Sequence, residues 1–241
     1  MNKKLIGYIV FFAVLITVFL LVVSRSFDFT QSNLGVINNN VDTFSFVNQD
    51  GKIMTARDVE DKVYVAEYFF TTCRGICPKM NANMRRVWDV YKDESDFLIM
   101  SHSCMPETDS VPLLKGYEKW MINGNLIKNE DGSVKILPSE IDKPIVNKNW
   151  FFLTGDKLAL YKMARVSYMI DNNKPDTTQN PADDFIHTQF FALVDKQRRL
   201  RGIYDGLKNE EVEKLIDDIK GLLKERKEAA SYKNGFSNAP N

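Results

Sequence analysis

The chain has 241 residues, of which 44% are hydrophobic and 12% aromatic, and this is enough material for one domain with a sizeable core. Lysine plus arginine and aspartate plus glutamate both number 32, so the formal net charge is zero and no basic surplus points to a nucleic-acid partner. Three cysteines, Cys73, Cys77 and Cys104, are too few for a disulfide framework in a domain of this size. We therefore interpret them as chemically active residues.

The chain opens with a long apolar run. Residues 5–23 read LIGYIVFFAVLITVFLLVV without a charge, close to the roughly 20 residues that a helix needs to cross a bilayer. The run exceeds a signal-peptide core of about 7–15 residues, and no small-residue cleavage site follows it. We predict an uncleaved anchor over residues 1–25. Lys3 and Lys4 favour a cytoplasmic N-terminus, so the rest of the chain lies on the periplasmic or extracytoplasmic side of the cell inner membrane.

The exported part divides into three predicted regions. Residues 26–40 are polar and aperiodic, which predicts a linker; residues 41–229 form the domain, and residues 230–241 form a disordered tail. Within the domain, DTFSFVNQDGKIMT predicts a β-hairpin turning at Asp50-Gly51, and VYVAEYFF predicts a strand buried on both faces. PKMNANMRRVWDVY then predicts a helix with a methionine-rich buried stripe.

The second half continues the alternation. FLIMS predicts a strand and VPLLKGYEKWM a helix, whereas residues 123–149 have no clear period and predict an irregular insertion. NWFFLTGD predicts a strand, LALYKMARVSYMI a short helix, and FIHTQFFALVD with RLRGIYDG an antiparallel pair before a last helix over about 209–227. The order predicts an α/β fold, a mixed sheet flanked by helices. A redox-type cysteine loop between an early strand and a helix makes it thioredoxin-like.

The cysteine loop itself has the spacing C-x-x-x-C. If it is close to helical, Cys73 and Cys77 at i and i+4 bring their Cβ atoms within about 5–6 Å, close enough to share a metal or to close a disulfide. The helix N-terminus at Cys77 favours a thiolate. Two thiolates are soft donors that select Cu(I), zinc or iron–sulfur, and structural zinc wants four ligands.

An imidazole would complete a three-coordinate copper site. The chain offers His102 and His187. His187 precedes a predicted strand and follows a polar loop, so it is favoured, although a surface histidine at a strand end fits the same pattern.

Three segments of the chain resemble one family. YFFTTCRGICPKMNANM resembles the F-x-F-T-x-C-x-x-x-C-P signature of the Sco/SenC family, exported copper-binding proteins of cytochrome oxidase assembly with a thioredoxin-like fold. NWFFLTGD resembles that family's W-x-x-L-T-G segment, and IHTQFFALVDKQRRLRGIYDG resembles its H-x-x-x-x-x-L-V-D-x-x-G-x-I-R-G-x-Y-x-G stretch. The whole resemblance spans about Asp42 to Gly221, with the segments in the same order. The resemblance implies copper as cargo, Cys73, Cys77 and His187 as its ligands, and the copper-bearing subunit of cytochrome c oxidase as recipient.

One segment departs from the family pattern. Where the family carries S-V-D-P-x-x-D-T-P, this chain has SHSCMPETDSVP, with Ser103 or Cys104 in place of the first aspartate. Three interpretations stay open for Cys104 and His102: a buried thiol beside a loop histidine, an auxiliary copper site, or a resolving thiol that exchanges with the motif cysteines.

The main rival function is a thiol–disulfide reductase that keeps the cysteines of a partner cuproprotein reduced. The spacing is not C-x-x-C, and Gln189 or Phe190 stands where a cis-proline would be expected, so we predict a metallochaperone rather than an enzyme. A combined role with thiol–disulfide reductants as partners stays open. The chain does not show the residue pattern that surrounds the active cysteine of a thiol peroxidase. It also shows no segment that resembles the output module of a membrane-anchored sensor.

Overall fold

The computed structural model describes residues 3–26, 32, 34–131, 133–139, 144, 146–171 and 188–225. The helices are α1 Lys3–Ser26, α2 Cys77–Tyr91, α3 Val111–Asn123, α4 Lys157–Lys162 with a π-helical turn Met163–Ser167, and α5 Asn209–Lys224. The strands are β1 Ser45–Asn48, β2 Ile53–Thr55, β3 Val63–Phe69, β4 Phe97–Ser103, β5 Asn125–Lys128, β6 Val134–Leu137, β7 Trp150–Thr154, β8 Phe190–Val194 and β9 Leu200–Asp205. The predicted tail, residues 230–241, lies outside the described residues.

A seven-stranded mixed sheet forms the centre of the domain, in the order β2-β1-β7-β4-β3-β8-β9. β3, β4 and β7 run parallel, while β8 and β9 form an antiparallel hairpin beside β3. The thioredoxin-like fold predicted from the sequence is confirmed. Because β3 has a neighbour on both sides, the loop that follows it lies at the middle of one end of the sheet.

Side-chain alternation along β3 builds two cores, one on each face of the sheet. Val65 and Phe69 join the core beneath α2, α3 and α5, whereas Tyr64 and Tyr68 join the core on the α4 side. Every residue of β3 is buried. The nearly continuous apolar run that predicted this strand follows from burial on both faces.

Helix α2 begins at Cys77 with Pro78 in its first turn, where a missing backbone N–H costs little. Its predicted stripe is buried, including Met80, Met84 and Trp88. This packing fixes the helix against β3 and fixes Cys77 at the start of the helix.

Of the two hairpins that precede β7, the sequence predicted the first and missed the second. The predicted first hairpin is confirmed: Phe46 of β1 lies opposite Met54 of β2, and Gly51 in its turn has φ 73°. The prediction of an irregular insertion over residues 123–149 is wrong in part, because β5 and β6 form a second hairpin there. Its inward side chains, Val134 and Ile136, are buried in the core beneath α2.

Residues 34–41, which we call the strap, lie along the edge strand β9. The backbone N–H of Ile37 donates to Leu200 O at 2.8 Å, Leu200 N–H donates to Asn38 O at 2.9 Å, and Val41 N–H donates to Arg198 O at 2.9 Å. Residues 34–40 were predicted as linker. Their backbone instead extends the sheet edge, so this part of the polar run is bound to the domain.

Arg201 clamps the strap to the end of the last helix. Its guanidinium donates to Leu34 O at 2.6 Å and to Gly35 O at 3.3 Å, and it pairs with Asp195 and Glu225, each at 2.8 Å. The arginine is buried, and its charge is matched by two carboxylates. The clamp ties the beginning of the described domain to its end.

Helix α1 is long and apolar enough to cross a membrane. Residues Lys4–Leu21 have a mean hydropathy of 2.5, and none of this stretch is buried against the rest of the protein. A solvent-exposed apolar helix of this length is unfavourable in water. The helix fits a membrane anchor or a signal sequence.

Candidate metal centre

The loop between β3 and α2 places two thiols at the centre of the sheet end. Cys73 N–H donates to Phe70 O at 3.2 Å, which turns the chain immediately after the strand. Cys73 is half-buried and packs against the core, whereas Cys77 is 4% exposed. The two side chains are close enough for Cys73 to raise the pKa of the Cys77 thiol. The structure therefore brings Cys73 and Cys77 together, with Cys73 the more accessible sulfur.

Burial controls the protonation of Cys77. It raises the pKa of the thiol well above its ordinary value, and the adjacent Cys73 raises it further, while a hydrogen bond involving the Phe70 backbone opposes the rise. The expectation that the helix N-terminus favours a thiolate is wrong for the copper-free site. A helix terminus is worth at most about 2 kcal/mol, and desolvation of a buried charge exceeds that.

Cys104 lies beside this pair but on the other face of the sheet. Its N–H donates to Phe69 O at 2.7 Å, and its carbonyl accepts a hydrogen bond from Tyr161 at 2.8 Å. The thiol is buried in the α4-side core. Burial raises its pKa well above the ordinary value, and the neighbouring Cys77 raises it further. All three cysteines are free thiols at one end of the sheet.

His102 is enclosed by aromatic rings. Its ring stacks on Tyr68 at 5.1 Å between centroids, meets Phe46 edge-on at 5.5 Å, and places Nε2 3.3 Å from the Tyr168 hydroxyl. Complete burial lowers the pKa of His102 to about 3, so the imidazole is neutral at physiological pH. The parallel register of β4 with β3 sets this position, since His102 lies opposite Tyr68.

The structure does not join His102 to the sulfur pair. Within the described ranges, no group of three or more histidine, cysteine, aspartate or glutamate side chains is arranged to hold a metal. Copper binding by His102 and Cys104 stays a prediction. His187 lies outside the described residues, as does the loop before it. Thr188 follows directly, and its hydroxyl donates to Ile170 O at 2.6 Å, which fixes the chain just before β8 begins.

Asp109 is a site residue that sequence reasoning missed. Its carboxylate accepts hydrogen bonds from the Thr71 N–H at 3.2 Å, from the Thr71 hydroxyl at 2.6 Å, and from the Ser103 hydroxyl at 2.6 Å. These three bonds, which we call the Asp109 brace, connect the cysteine loop to the end of β4. The sequence clue was its position, since Asp109 lies in the segment SHSCMPETDSVP, where the Sco/SenC pattern S-V-D-P-x-x-D-T-P has its second aspartate.

Glu67 is the second missed residue. This fully buried carboxyl group accepts a hydrogen bond from the Ser101 hydroxyl at 2.6 Å, and Ser101 accepts one from Trp150 Nε1 at 2.8 Å. Its other oxygen has no hydrogen-bond partner among the described residues. Burial raises the pKa of Glu67 to about 8, and its charge contributes to the raised pKa of Cys77. The sequence clue was that Glu67 is a single acidic residue within the apolar run VYVAEYFF.

A family model described as SCO1/SenC matches residues 37–128 and 134–224. The chain belongs to the SCO1/SenC family. The match covers most of the strap, the cysteine loop and the β8–β9 hairpin, and it confirms the resemblance seen in the three sequence segments.

Solved structures of the family have the same fold. A SCO1/SenC family lipoprotein from Bacillus anthracis is 30% identical, with 78% of this chain and 96% of that chain covered and a TM-score of 0.58. BsSco, a member of the Sco family of cytochrome c oxidase assembly proteins with a disulfide switch, is 28% identical, with 79% and 96% covered and a TM-score of 0.58. Copper-bound ScoI from Arabidopsis thaliana is 21% identical, with 74% and 97% covered and a TM-score of 0.50, a likeness of fold.

Proposed function

We propose that this protein is a membrane-anchored copper chaperone outside the cytoplasm. It holds copper on Cys73, Cys77 and His187 and delivers it to the copper-bearing subunit of cytochrome c oxidase. The observation that carries the proposal is the pair of neighbouring free thiols at the centre of the sheet end, one half-buried and one buried, in a chain of the SCO1/SenC family. Thiolate and imidazole donors suit copper. Family members that bind copper and that assemble the oxidase support the cargo and the recipient.

Copper uptake exchanges protons for metal. Because burial raises the pKa of Cys77, its thiol keeps its proton until copper displaces it. The low accessibility of Cys77 and the partial exposure of Cys73 make Cys73 the sulfur that meets an incoming donor or acceptor first. Transfer then proceeds by ligand exchange at the exposed side, with the buried sulfur released last.

Oxidation provides a release switch. When Cys73 and Cys77 form a disulfide, they give two protons and two electrons to a partner disulfide, which becomes two thiols. Both sulfur ligands for copper are lost in that step. The disulfide switch of BsSco supports this coupling.

The location outside the cytoplasm rests on α1. Its exposed apolar surface supports a membrane span, and the two lysines at its start support an orientation with the domain across the membrane from the N-terminus. A lipoprotein among the relatives is consistent with an extracytoplasmic domain.

The test is Cu(I) affinity of the full chain in detergent, fully reduced, by competition with a chromophoric chelator. Cys73→Ser, Cys77→Ser and His187→Ala are each expected to weaken binding by more than about 100-fold, since even residues behind the ligands contribute about 10–100-fold. Cys104→Ser tests the auxiliary copper site separately, and unchanged affinity would assign Cys104 to the core as a buried thiol. No copper binding by the reduced wild type, or equal binding by all variants, contradicts the proposal.

A thiol–disulfide reductase is the second candidate, because an accessible Cys73 beside a buried Cys77 is the arrangement of an attacking and a resolving thiol. The copper-free protein should then reduce a disulfide peptide that carries the recipient's cysteine pair. Cys77→Ser would trap the mixed disulfide on Cys73. Turnover without copper, together with no metal binding, would favour this function over the chaperone.

A further inference from the structure

A cleft of about 430 Å³ opens beside the turn from β8 to β9. It lies between the connection from β2 to β3 and the turn from β8 to β9. The residues that line it are Thr43, Ala56, Arg57, Glu60, Lys196, Gln197 and Arg198. That turn lies at the end of the sheet where β3 begins, because Val194 at the end of β8 is opposite Tyr64. The cysteines follow the other end of β3, about 20 Å of strand away.

The cleft carries a surplus of positive charge. Arg57, Lys196 and Arg198 face one acid, Glu60. Across the part of the chain that the structure describes, neither Arg57 nor Arg198 forms an ion pair, and Lys196 Nζ donates to a backbone carbonyl, Leu223 O, at 2.8 Å.

Two acids next to lining residues along the chain are already engaged. Asp58 accepts hydrogen bonds from the Thr55 N–H at 2.7 Å and from the Thr55 hydroxyl at 2.9 Å. Asp195 pairs with Arg199 and with Arg201, each at 2.8 Å. The guanidinium donors of the cleft are therefore available to an anion. A planar fork of N–H donors matches the oxygens of a phosphate group.

The path of the chain places this cleft close to the membrane if α1 is a membrane anchor. Helix α1 ends at Ser26, and Ser32 N–H already donates to Glu225 at 3.3 Å. Six residues of extended chain reach at most about 22 Å. The strap then leads from this point to Val41, which is bonded to the backbone of Arg198, and Thr43 forms part of the cleft wall.

We propose that this cleft binds the phosphate group of an anionic phospholipid headgroup. The bound headgroup and the strap hold the same end of the domain at the bilayer, so the cysteine loop faces away from it, toward a partner. The inference rests on the membrane anchor of the proposed function and adds a lipid site that copper binding does not require.

The experiment uses the full chain in nanodiscs of phosphatidylcholine, with or without phosphatidylglycerol, and follows amide hydrogen exchange. Phosphatidylglycerol should slow exchange in residues 55–60 and 195–199 by at least about fivefold, because a ligand that binds the closed state lowers the population of open states. Arg57→Gln combined with Arg198→Gln should abolish the effect. Lys128→Gln combined with Lys135→Gln removes the same charge from the distant β5–β6 hairpin and should preserve it.

Three results would overturn the lipid site. One is equal exchange in both nanodiscs; another is equal loss of protection in both double variants, which would indicate general electrostatic attraction. The third is the same protection in phosphatidylcholine nanodiscs from dissolved inorganic phosphate, which would assign the cleft to a soluble anion. Retention of the chain in nanodiscs and its Cu(I) affinity are scored separately, so failure of the anchor or of copper binding is distinguished from failure of the cleft.

Discussion

Replacing Glu67 by glutamine should change how the stability of the domain depends on pH. The carboxyl group is fully buried, and its pKa is raised by burial from 4.5 to about 8. Below pH 4.5 the group is protonated in both the folded and the unfolded chain. As the pH rises toward 8, the unfolded chain ionises while the folded chain keeps its proton, so the contribution of this group to stability is progressively lost.

The size of the effect follows from the two pKa values. Each pH unit between them costs about 1.4 kcal/mol, so at pH 7 the ionisable group lowers the free energy of unfolding by about 3 kcal/mol relative to its value at pH 4.5. Glutamine has nearly the same shape, and its carbonyl oxygen can accept the hydrogen bond from Ser101. The free energy of unfolding of Glu67→Gln should therefore lack this pH dependence. Its difference from the wild-type value should grow in favour of the variant from pH 5 to 8.

The assay is urea unfolding of the full chain in mild detergent, copper-free and reduced, monitored by tryptophan fluorescence. All three tryptophans lie in the domain, and Trp150 belongs to the same hydrogen-bond chain as Glu67. His102, whose pKa is lowered to about 3 by burial, destabilises the fold as the pH falls below 6.5. It does so in both proteins, so the difference between them isolates Glu67.

Glu130→Gln is the control, because this glutamate is exposed. Its stability profile should parallel that of the wild type. If the difference between wild type and Glu67→Gln changes by less than about 1 kcal/mol between pH 5 and 8, the carboxyl group is not held neutral and the reasoning from burial is refuted.

Two further predictions concern the cysteine loop. Asp109→Ala removes the acceptor of the Asp109 brace and leaves the buried Ser103 hydroxyl and the part-buried Thr71 donors unpaired. The free energy of unfolding, measured in urea, should therefore fall by about 2–4 kcal/mol. The control is Glu107→Ala in the same loop, which should be nearly neutral. Iodoacetamide at pH 8 should modify Cys73 at least about tenfold faster than Cys77, as read by mass spectrometry of the folded, reduced protein, because burial restricts Cys77 and raises its pKa. Equal rates would show that the loop opens freely.

Local patterns predicted the elements that carry the site. The apolar run of β3 and the stripe of α2 follow from periods of 2 and 3.6 residues, and both are short-range properties of the chain. They were sufficient to place Cys73 and Cys77 between a strand and a helix. The second hairpin was harder, because only four residues, 134–137, alternate within a polar stretch.

Long-range contacts account for what the sequence did not show. The strap binds a strand about 160 positions away along the chain, as in the hydrogen bond between Arg201 and Gly35 with a separation of 166. The raised pKa of Cys77 depends on burial depth, which the loop sequence does not encode. The aromatic enclosure of His102 depends on the register between β3 and β4.

The Arg201 clamp also has a consequence for how the domain opens. One guanidinium holds Leu34 and Gly35 near the start of the domain and Glu225 at its end. Fraying of either terminus removes partners from the same side chain, so the two ends lose protection together. The strap and the last turn of α5 should behave as one cooperative opening unit, although they are far apart along the chain.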